Sequence, residues 1–551
     1  MERVRQVAAV ARLAARNRAL RRLELAFAAF NGAEWGVWVA ILVYGYAHGG
    51  ANGAAAIALI QLIPSAVLAP SLATLADRKR PGRVLLASYL AMAASMGAVA
   101  AAIALSAPVA VVFALAPLVN LALSVPRPAQ AALLPGLVST PIELSAANVV
   151  SSWMENVSVL IAPAVSGLLL GVGGSQLSIA AMGGLALFAA VLVAPLPGPA
   201  PIAIDEEDDR PGMVDDVRES VAMIARDRPA RLLVGLLGAQ FVLIGALDLL
   251  YVVLAISVLG MGQSGAGYLS AAVGAGGLIG GVVAAALVGR RHLAPLLVCG
   301  IAAAGAALVT LGARPTVASA FLLLAVAGLG RAVFDVSGRT LLQRVAPPDM
   351  LARVFGLLES LMNACLAIGS LLVPILIAAS GARAALIGAG ALLILLIAAT
   401  GRSLLAVDEA ADVPVVEIAL LRSIPLFAAL PAPALETLGR ALEPVDAEPG
   451  TVLMRQGERG DRYYAIAEGK LDVARNGARV ATLGRGEGVG EIALLEDVPR
   501  TATVTAAERA RLYALTKEPF VLALTGHPPA HRTARGVVQA RRERLVQLDS
   551  G

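Results

Sequence analysis

Residues 76–106 read ADRKRPGRVLLASYLAMAASMGAVAAAIALS, a basic loop followed by an uncharged apolar stretch from Val84 to Ser106. About 20 apolar residues are enough for a helix to cross the hydrocarbon core of a bilayer. The same alternation of short basic loops and long apolar stretches recurs along the chain, which is 58% hydrophobic and only 15% charged. Such a composition excludes an ordinary soluble protein, and the sequence predicts an integral membrane protein.

Twelve stretches meet this length criterion, six on each side of a segment from Pro195 to Arg231 that contains an acidic run. They are 23–46, 51–75, 84–106, 108–130, 148–172, 175–196, 232–258, 265–289, 292–312, 315–336, 353–379 and 383–405. We predict a polytopic α-helical membrane protein with 12 transmembrane helices in two six-helix bundles. The predicted segments are a basic amphipathic N-terminal segment at 1–22, the bundles at 23–197 and 232–405, and a cytoplasmic central loop at 198–231.

The loop charges predict the orientation. Basic side chains collect on one side of the predicted membrane, whereas the opposite loops hold only Arg314 and Arg383. By the positive-inside rule both termini are cytoplasmic, and we expect the membrane to be the inner one. The same rule accounts for the net charge of +5, so nucleic acid is not an expected partner. Cys299 and Cys365 lie in separate apolar stretches and suggest neither a disulfide nor a metal site.

A different kind of sequence begins after Leu405, where charge rises and short alternating segments are bounded by Gly and Pro. We predict a cytoplasmic soluble domain at 406–551, a β-roll with flanking helices. Its expected helices are 415–442 and 535–548. Its expected strands are 451–455, 463–468, 470–475, 479–483, 502–505 and 511–516.

One motif in this domain points to an anion. Gly490-Glu491-Ile492-Ala493-Leu494-Leu495 places flexible backbone before a short helix, and Arg500 and Thr501 follow. Free amides and a guanidinium suit a phosphate, and Glu491 suits a sugar hydroxyl, so the residues predict a sugar phosphate or nucleotide.

The segment 490–504 resembles the phosphate-binding cassette of cyclic-nucleotide-binding domains. The resemblance implies that Glu491 binds the ribose 2′-hydroxyl, that Arg500 binds the cyclic phosphate, and that amides around Ile492, Ala493 and Thr501 bind its other oxygens. It also implies cyclic AMP or cyclic GMP as regulatory ligand, with no other cofactor. Thr501 leaves the base open, and the closing helix offers no clear capping residue. The alternative is a structural β-roll whose pocket binds nothing.

The membrane part resembles the major facilitator superfamily over 23–405, through the six-plus-six arrangement and the loop from Leu75 to Arg83, which includes Asp77 and Arg78. Ala73 stands where that family usually has Gly, and Gly82-Arg83 comes two residues late. The segments Arg127-Pro128-Ala129-Gln130 and Gly260 to Gly281 are more similar to the drug and siderophore exporter branch.

Polar residues inside predicted spans are functional candidates, because an ionisable group is costly in a membrane. Helical spacing puts several on shared faces that we expect to line a central cavity: Asn31, Glu34, Trp38, Asn148, Ser152, Glu155 and Asp248. Glu34 and Asp248 occupy similar places in the two halves, which echo each other at a displacement of roughly 210 residues. They are either sites of reversible protonation or structural hydrogen-bond partners.

Other charges suit gating or structural roles. Arg331 and Asp335 are one helical turn apart and predict an ion pair, while Glu359 and Arg127 are candidates for the same network. Asp77 is expected to stabilise the contact between the bundles by facing a helix N-terminus.

Together these features predict a small-molecule exporter, driven by protons or another gradient and regulated by cyclic nucleotide. One alternative is a non-transporting membrane receptor. The other is a cyclic-nucleotide-gated channel, and the sequence argues against the channel because it has neither a selectivity-filter motif nor a voltage-sensor pattern. No nucleophile–base pair, metal cluster or Walker motif indicates an enzyme. Substrate and oligomeric state stay open.

Overall fold

The computed structural model describes residues 17–78, 80–138, 141–196, 222, 224, 226–287, 292–345, 351–410, 415–430, 432–525, 530 and 533–541. Most of the basic N-terminal segment and of the central loop lies outside these residues. The side chains of Asp77, Arg78 and Glu359 also lie outside the described part, so the roles expected for them stay predictions. The chain divides into two compact units, one ending at Ala411 and the other built around Asp412–Gly551.

The first unit is helical. Its helices are α1 (Arg18–Arg78), α2 (Pro81–Ala104), α3 (Val109–Leu123), α4 (Pro126–Leu133), α5 (Pro141–Val193), α6 (Arg228–Val253), α7 (Gly262–Leu287), α8 (Ala294–Ala313), α9 (Val317–Val345) and α10 (Leu351–Ala410). A 3₁₀ turn at Leu134–Leu137 follows α4, and a π-helical turn at Leu254–Val258 follows α6.

Nine helices among the described residues are long and apolar enough to cross a membrane. Three of them, at Arg18–Leu68, Val150–Val193 and Leu361–Glu409, are 51, 44 and 49 residues long. Each of these three contains a break at a glycine with positive φ: Gly50 (+56°), Gly174 (+67°) and Gly381 (+79°). Since about 20 residues span a bilayer, each broken helix is long enough for two crossings.

Glycines allow α5 and α7 to approach closely. A Cβ on Gly267 would lie 2.5 Å from the Cα of Gly167, and a Cβ on Gly274 would lie 2.4 Å from the carbonyl oxygen of Val159. Small residues at helix contacts are the usual means of close packing in membranes, where dispersion contacts replace the hydrophobic effect. The first part of the helical unit is thus packed directly against the second.

The second unit begins with α11 (Val415–Ser423) and α12 (Ala432–Arg440). Eight strands follow: β1 (Glu443–Ala447), β2 (Val452–Met454), β3 (Arg462–Glu468), β4 (Leu471–Arg475), β5 (Ala478–Leu483), β6 (Gly488–Val489), β7 (Thr503–Ala506) and β8 (Ala510–Thr516). The short helix α13 (Glu491–Glu496) lies between β6 and β7, α14 (Lys517–Thr525) follows β8, and residues 533–541 form the closing helix.

The strands form two antiparallel four-stranded sheets, in the orders β1-β8-β3-β6 and β2-β7-β4-β5. Ile466, Leu471 and Leu512 belong to a core that takes side chains from both sheets. The helices pack on a second core around Phe427, Tyr463 and Phe520, whose rings meet at centroid distances of 4.9 to 5.9 Å. The domain is therefore a β-sandwich with helices on one side.

Six of these strands lie where the alternating pattern predicts them. The pattern misses β1, whose sequence EPVDA is mostly exposed, and β6, which has only two residues and is too short to alternate. It also predicts one helix over 415–442, whereas the structure has two helices separated by a turn. Pro425 and Pro431 explain this division, because proline disfavours a continuous helix.

Candidate functional site

A pocket of about 170 Å³ lies in the β-roll. All six residues that the sequence predicts for the ligand site line it: Gly490, Glu491, Ile492, Ala493, Arg500 and Thr501. Its other walls are mainly apolar side chains of the strands, among them Val473, Val480 and Leu483. A charged end and an apolar end in one pocket suit a ligand with an anionic and a flat apolar part.

Glu491 is the first residue of α13 and is only 3% exposed. One of its carboxylate oxygens, Oε1, accepts a 2.8 Å hydrogen bond from Arg541. The other oxygen, Oε2, is buried and accepts no hydrogen bond from any residue that the structure describes. Because an unsatisfied buried acceptor is costly, Oε2 is suited to receive a hydroxyl donor from a ligand.

Arg500 is 4% exposed and uses its guanidinium on backbone carbonyls. It donates to the carbonyl oxygen of Arg462 at 2.7 Å and to that of Gly490 at 3.3 Å. Burial lowers its pKa, although the carboxylate of Asp461, 3.6 Å away, acts in the opposite direction. A buried guanidinium with so little counter-charge favours an anion beside it.

Arg541 is a site residue that the sequence analysis missed. It lies on the closing helix, lines the pocket, and donates to the carbonyl of Gly488 at 2.7 Å as well as to Glu491. Burial disfavours its charge, but the Glu491 carboxylate outweighs this effect and raises the pKa of Arg541. The closing helix carries several arginines, and its sequence alone gives no signal that distinguishes this one.

Two glycines are required where the chain enters α13. Gly490 has φ +101°, a left-handed conformation that other residues rarely adopt. At Gly488 a Cβ would lie 2.0 Å from the hydroxyl of the fully buried Tyr463 and 2.8 Å from the carbonyl oxygen of Tyr464. The glycine-rich approach to the cassette therefore has a steric cause, besides its suitability for a ligand.

In the helical unit, Arg127 on α4 joins three predicted residues. It donates to Glu34 at 2.7 Å, to Asn31 at 3.1 Å and to Glu155 at 3.1 Å. Its guanidinium carbon also lies 5.2 Å from the centre of the Phe30 ring. Glu34 is therefore ion-paired rather than isolated, and Arg127, which the sequence predicts for the gating network, belongs to the group of Asn31, Glu34 and Glu155.

A buried carboxylate nearby, Glu24, escaped the sequence analysis. It is 2% exposed and accepts a hydrogen bond from the Ser151 hydroxyl, with oxygen–oxygen distances of 2.9 and 2.8 Å. Glu24 lies at the start of the first apolar stretch, so the sequence treats it as a boundary residue. Only the packing of α1 against α5 shows that it is buried.

Trp38 and Asp248 form a hydrogen bond of 3.0 Å between the indole Nε1 and the carboxylate, across 210 residues of sequence. The hydroxyls of Tyr46 and Ser257 form a second hydrogen bond further along the same two chain segments. Asp248 therefore differs from Glu34, whose partner is an arginine. Asn148 and Ser152 are exposed on α5 and do not join either group.

The predicted ion pair between Arg331 and Asp335 is wrong. Asp335 pairs instead with Arg339, at 3.2 Å on the next turn of α9. Both spacings place a basic side chain one turn from Asp335, and the periodicity cannot choose between them. Arg331 has its Nε buried without a hydrogen-bond partner among the described residues.

Two protein-family models match the chain, one in each of its two compact units. The model of the Major Facilitator Superfamily matches residues 23–322, more than half of the chain. The chain belongs to the major facilitator superfamily. In this superfamily member, the model of the cyclic nucleotide-binding domain matches residues 444–525, from β1 to the end of α14. Both predicted resemblances are thus confirmed, and neither family is a family of enzymes.

The curated relatives match a short part of this superfamily member. They include a cAMP-dependent protein kinase regulatory subunit of Yarrowia lipolytica, 38% identical over 102 residues, which are 18% of this chain and 27% of that protein. A cyclic nucleotide-gated potassium channel of Rhizobium etli is 37% identical over 123 residues, 22% of this chain and 34% of the channel. The acetyltransferase Pat of Mycolicibacterium smegmatis is 41% identical over 102 residues, 18% and 31% of the two chains.

This superfamily member spans about a third or less of the length of these relatives. Among solved structures, the regulatory domain of Toxoplasma gondii PKA with cAMP is 30% identical, with a TM-score of 0.20, over 20% of this chain and 44% of that one. A TM-score this low adds nothing to the family assignment.

Proposed function

We propose that the protein is a secondary active transporter whose conformational balance is set by a cyclic nucleotide bound to its C-terminal domain. The observation that carries the proposal is the pocket in which Glu491 and Arg500 lie together, each less than 5% exposed, in a chain whose other unit belongs to a transporter superfamily. A structural β-roll has no need of two buried charged groups in one cavity.

The chemistry of the pocket assigns a part of the ligand to each group. Arg500 would hold the cyclic phosphate, since a guanidinium binds two phosphate oxygens at once. The free Oε2 of Glu491 would accept a ribose hydroxyl, while Oε1 keeps its bond to Arg541. The apolar strand residues would cover one face of the base. Cyclic AMP and cyclic GMP share all of these contacts except those of the base.

For the membrane unit we propose twelve spans, in bundles at 23–197 and 232–405. The glycine breaks in α1, α5 and α10 support this count, because each separates two segments that are long enough to cross. The basic loops support cytoplasmic termini and an inner-membrane location, which would place the nucleotide domain at 406–551 in the cytoplasm.

The transport pathway is proposed to run past Arg127 and Asp248. The cluster of Arg127, Glu34 and Glu155 has one more carboxylate than arginine. Asp248 is held by a neutral indole, so it can take up a proton without breaking an ion pair. We therefore assign proton coupling to Asp248 in preference to Glu34. The similarity of 127–130 and 260–281 to the drug and siderophore exporter branch supports small-molecule export as the direction.

Binding is tested by calorimetric titration of the full-length protein in nanodiscs with cyclic AMP and, separately, cyclic GMP. We expect saturable binding of at least one of them, and its loss in Arg500→Ala. Arg511→Ala, which changes an exposed arginine on β8, is the matched control. Binding that survives Arg500→Ala would show that the assigned site is wrong.

Transport is tested in proteoliposomes with a panel of labelled small molecules, with and without a proton gradient and saturating nucleotide. We expect gradient-dependent flux whose rate changes with nucleotide, because a ligand shifts a conformational equilibrium only if it binds the two states differently. Nucleotide binding without any flux would favour the non-transporting receptor. Flux that ignores nucleotide would refute the regulation.

A further inference from the structure

Two pairs of opposite charges occupy related places in the helical unit. Glu34 on α1 and Arg127 on α4 form the first pair, and Asp248 on α6 and Arg331 on α9 form the second. The first pair is closed, with 2.7 Å between Arg127 Nη1 and Glu34 Oε1. The second is open: Asp248 accepts its hydrogen bond from Trp38, and Arg331 Nε is buried without a partner among the described residues.

The two residues of the second pair are displaced along their helices by similar amounts, relative to the first pair. Asp248 is about one helical turn further along α6 than Glu34 is along α1. Arg331 is about one turn less far along α9 than Arg127 is beyond the start of α3. Successive crossings run in opposite directions, so both shifts lead toward the same end of the bundle. Counted along the helices, Asp248 and Arg331 therefore lie at about one level, as Glu34 and Arg127 do.

Arg331 has space beside it. Its Nη2 lies 4.0 Å from the position of a Cβ on Gly277, so the glycine leaves room beside the guanidinium. Arg331 is therefore a donor at the level of Asp248 that has room to change its position.

Trp38 belongs to the other half of the unit. Its bond to Asp248 and the bond between Tyr46 and Ser257 both join α1 to the segment that starts with α6. Asp248 cannot keep its bond to Trp38 when these helices separate at the end where Tyr46 meets Ser257. It would then be a partly buried carboxylate without this donor. Such a group is strongly disfavoured unless another donor replaces the first.

We propose that Asp248 exchanges partners during the transport cycle: Trp38 in the conformation described here, and Arg331 when the two halves have separated at this end. Arg331 is then a positioning residue that stabilises the separated conformation, and Trp38 stabilises the joined one. The inference rests on the proposed transporter function. It predicts that removing either partner shifts the conformational equilibrium, in opposite directions.

The test is a distance measurement by pulsed electron–electron double resonance on the protein in nanodiscs. Spin labels are attached at Ala47→Cys and Gln263→Cys, and the two native cysteines are replaced by Cys299→Ser and Cys365→Ser. Both label positions are exposed and lie at the end where Tyr46 meets Ser257. We expect Trp38→Phe to raise the ratio of the long-distance to the short-distance population about tenfold, and Arg331→Gln to lower it about tenfold, as for a lost charge-assisted hydrogen bond.

Matched controls separate this effect from general damage. Trp35→Phe removes an indole N–H that has no hydrogen-bond partner in the described part of the chain, and Arg314→Gln removes an exposed arginine, so both should leave the ratio unchanged. Arg331→Lys keeps the charge and should stay close to the wild-type ratio, so a fall as large as that of Arg331→Gln would show that the charge does not stabilise the separated conformation. Shifts of Trp38→Phe and Arg331→Gln in the same direction, or an unchanged ratio in either of them, would overturn the exchange. If Arg331→Gln folds poorly, Trp38→Phe still tests the proposal.

The measurement needs no transported substrate, so the two proposals can fail separately. If the opposed shifts appear but proteoliposomes carry no substrate, the partner exchange stands as a conformational device and the transporter proposal fails. If flux is found and the shifts are absent, transport stands and the exchange is wrong.

Discussion

Arg541 on the closing helix and Glu491 at the start of α13 form a 2.8 Å ion pair inside the nucleotide pocket. The pair ties the C-terminal helix to the cassette through a single carboxylate, whose second oxygen has no hydrogen-bond partner among the described residues. A ligand that binds Glu491 would therefore act on both the closing helix and the cassette.

Replacing Glu491 with Gln should weaken nucleotide binding roughly tenfold to a hundredfold. The hydrogen bonds of a charged acceptor contribute about 1.5–3 kcal/mol, and each 1.4 kcal/mol is a factor of about ten. Titration calorimetry of the full-length protein measures the change, with Glu508→Gln at an exposed loop position as control. Equal nucleotide affinities of Glu491→Gln and Glu508→Gln would show that Glu491 does not contact the nucleotide.

Arg541→Met should also weaken nucleotide binding, because it leaves the Glu491 carboxylate buried without its cation. We expect a loss of about tenfold, and a smaller additional loss when Glu491→Gln is already present, since the two residues act as a pair. Arg535→Met changes an exposed arginine on the same helix and should leave the affinity unchanged. Additive losses would show that Arg541 acts independently of Glu491.

Gly488→Ala should destabilise the β-roll by about 1–3 kcal/mol, the usual cost of overpacking, because its Cβ would overlap the Tyr463 hydroxyl. Faster hydrogen exchange in β3 and β6 of the intact protein would report it. Gly484→Ala is the matched control, since nothing lies within 4 Å of a Cβ there. If the two variants exchange alike, the contact with Tyr463 does not constrain position 488.

Arg127→Gln should lower the thermal stability of the detergent-solubilised protein, since Glu34 and Glu155 lose their common cation. The side chains are partly exposed, so the cost should lie between the ~1 kcal/mol of a surface pair and the ~3–5 kcal/mol of a buried one. Adding Glu34→Gln should recover part of the loss. A double variant as unstable as the sum of the single ones would argue against coupling.

Asp408→Ala should destabilise the end of α10 and the start of α8. Asp408 is 3% exposed and accepts hydrogen bonds from the backbone amides of Leu293 at 3.1 Å and Ala294 at 3.0 Å. Loss of a helix cap costs about 0.5–2 kcal/mol, measurable as a lower melting temperature. The exposed neighbour Glu409→Ala should be neutral, and an equal effect at both positions would refute the capping role.

Local patterns predicted much of the molecule because the forces behind them are local. The span lengths follow from the thickness of a bilayer, and Glu491, Arg500 and Thr501 belong to one short stretch whose spacing is itself the signal. Failures occur where that signal ends. β6 is two residues long, and Asp335 has a basic residue one turn away on each side, so the pattern could not show that Arg339 is its partner.

Apolar length and motif spacing can be read along the chain, and they are enough to predict a membrane-embedded helical protein with a nucleotide-binding β-roll. The polar partners emerge from the three-dimensional packing: Arg127 with Glu34, Arg541 with Glu491, and Trp38 with Asp248 across 210 residues. Partners of this kind are chosen by the packing of distant helices. A buried charge must find a counterpart wherever the fold places one.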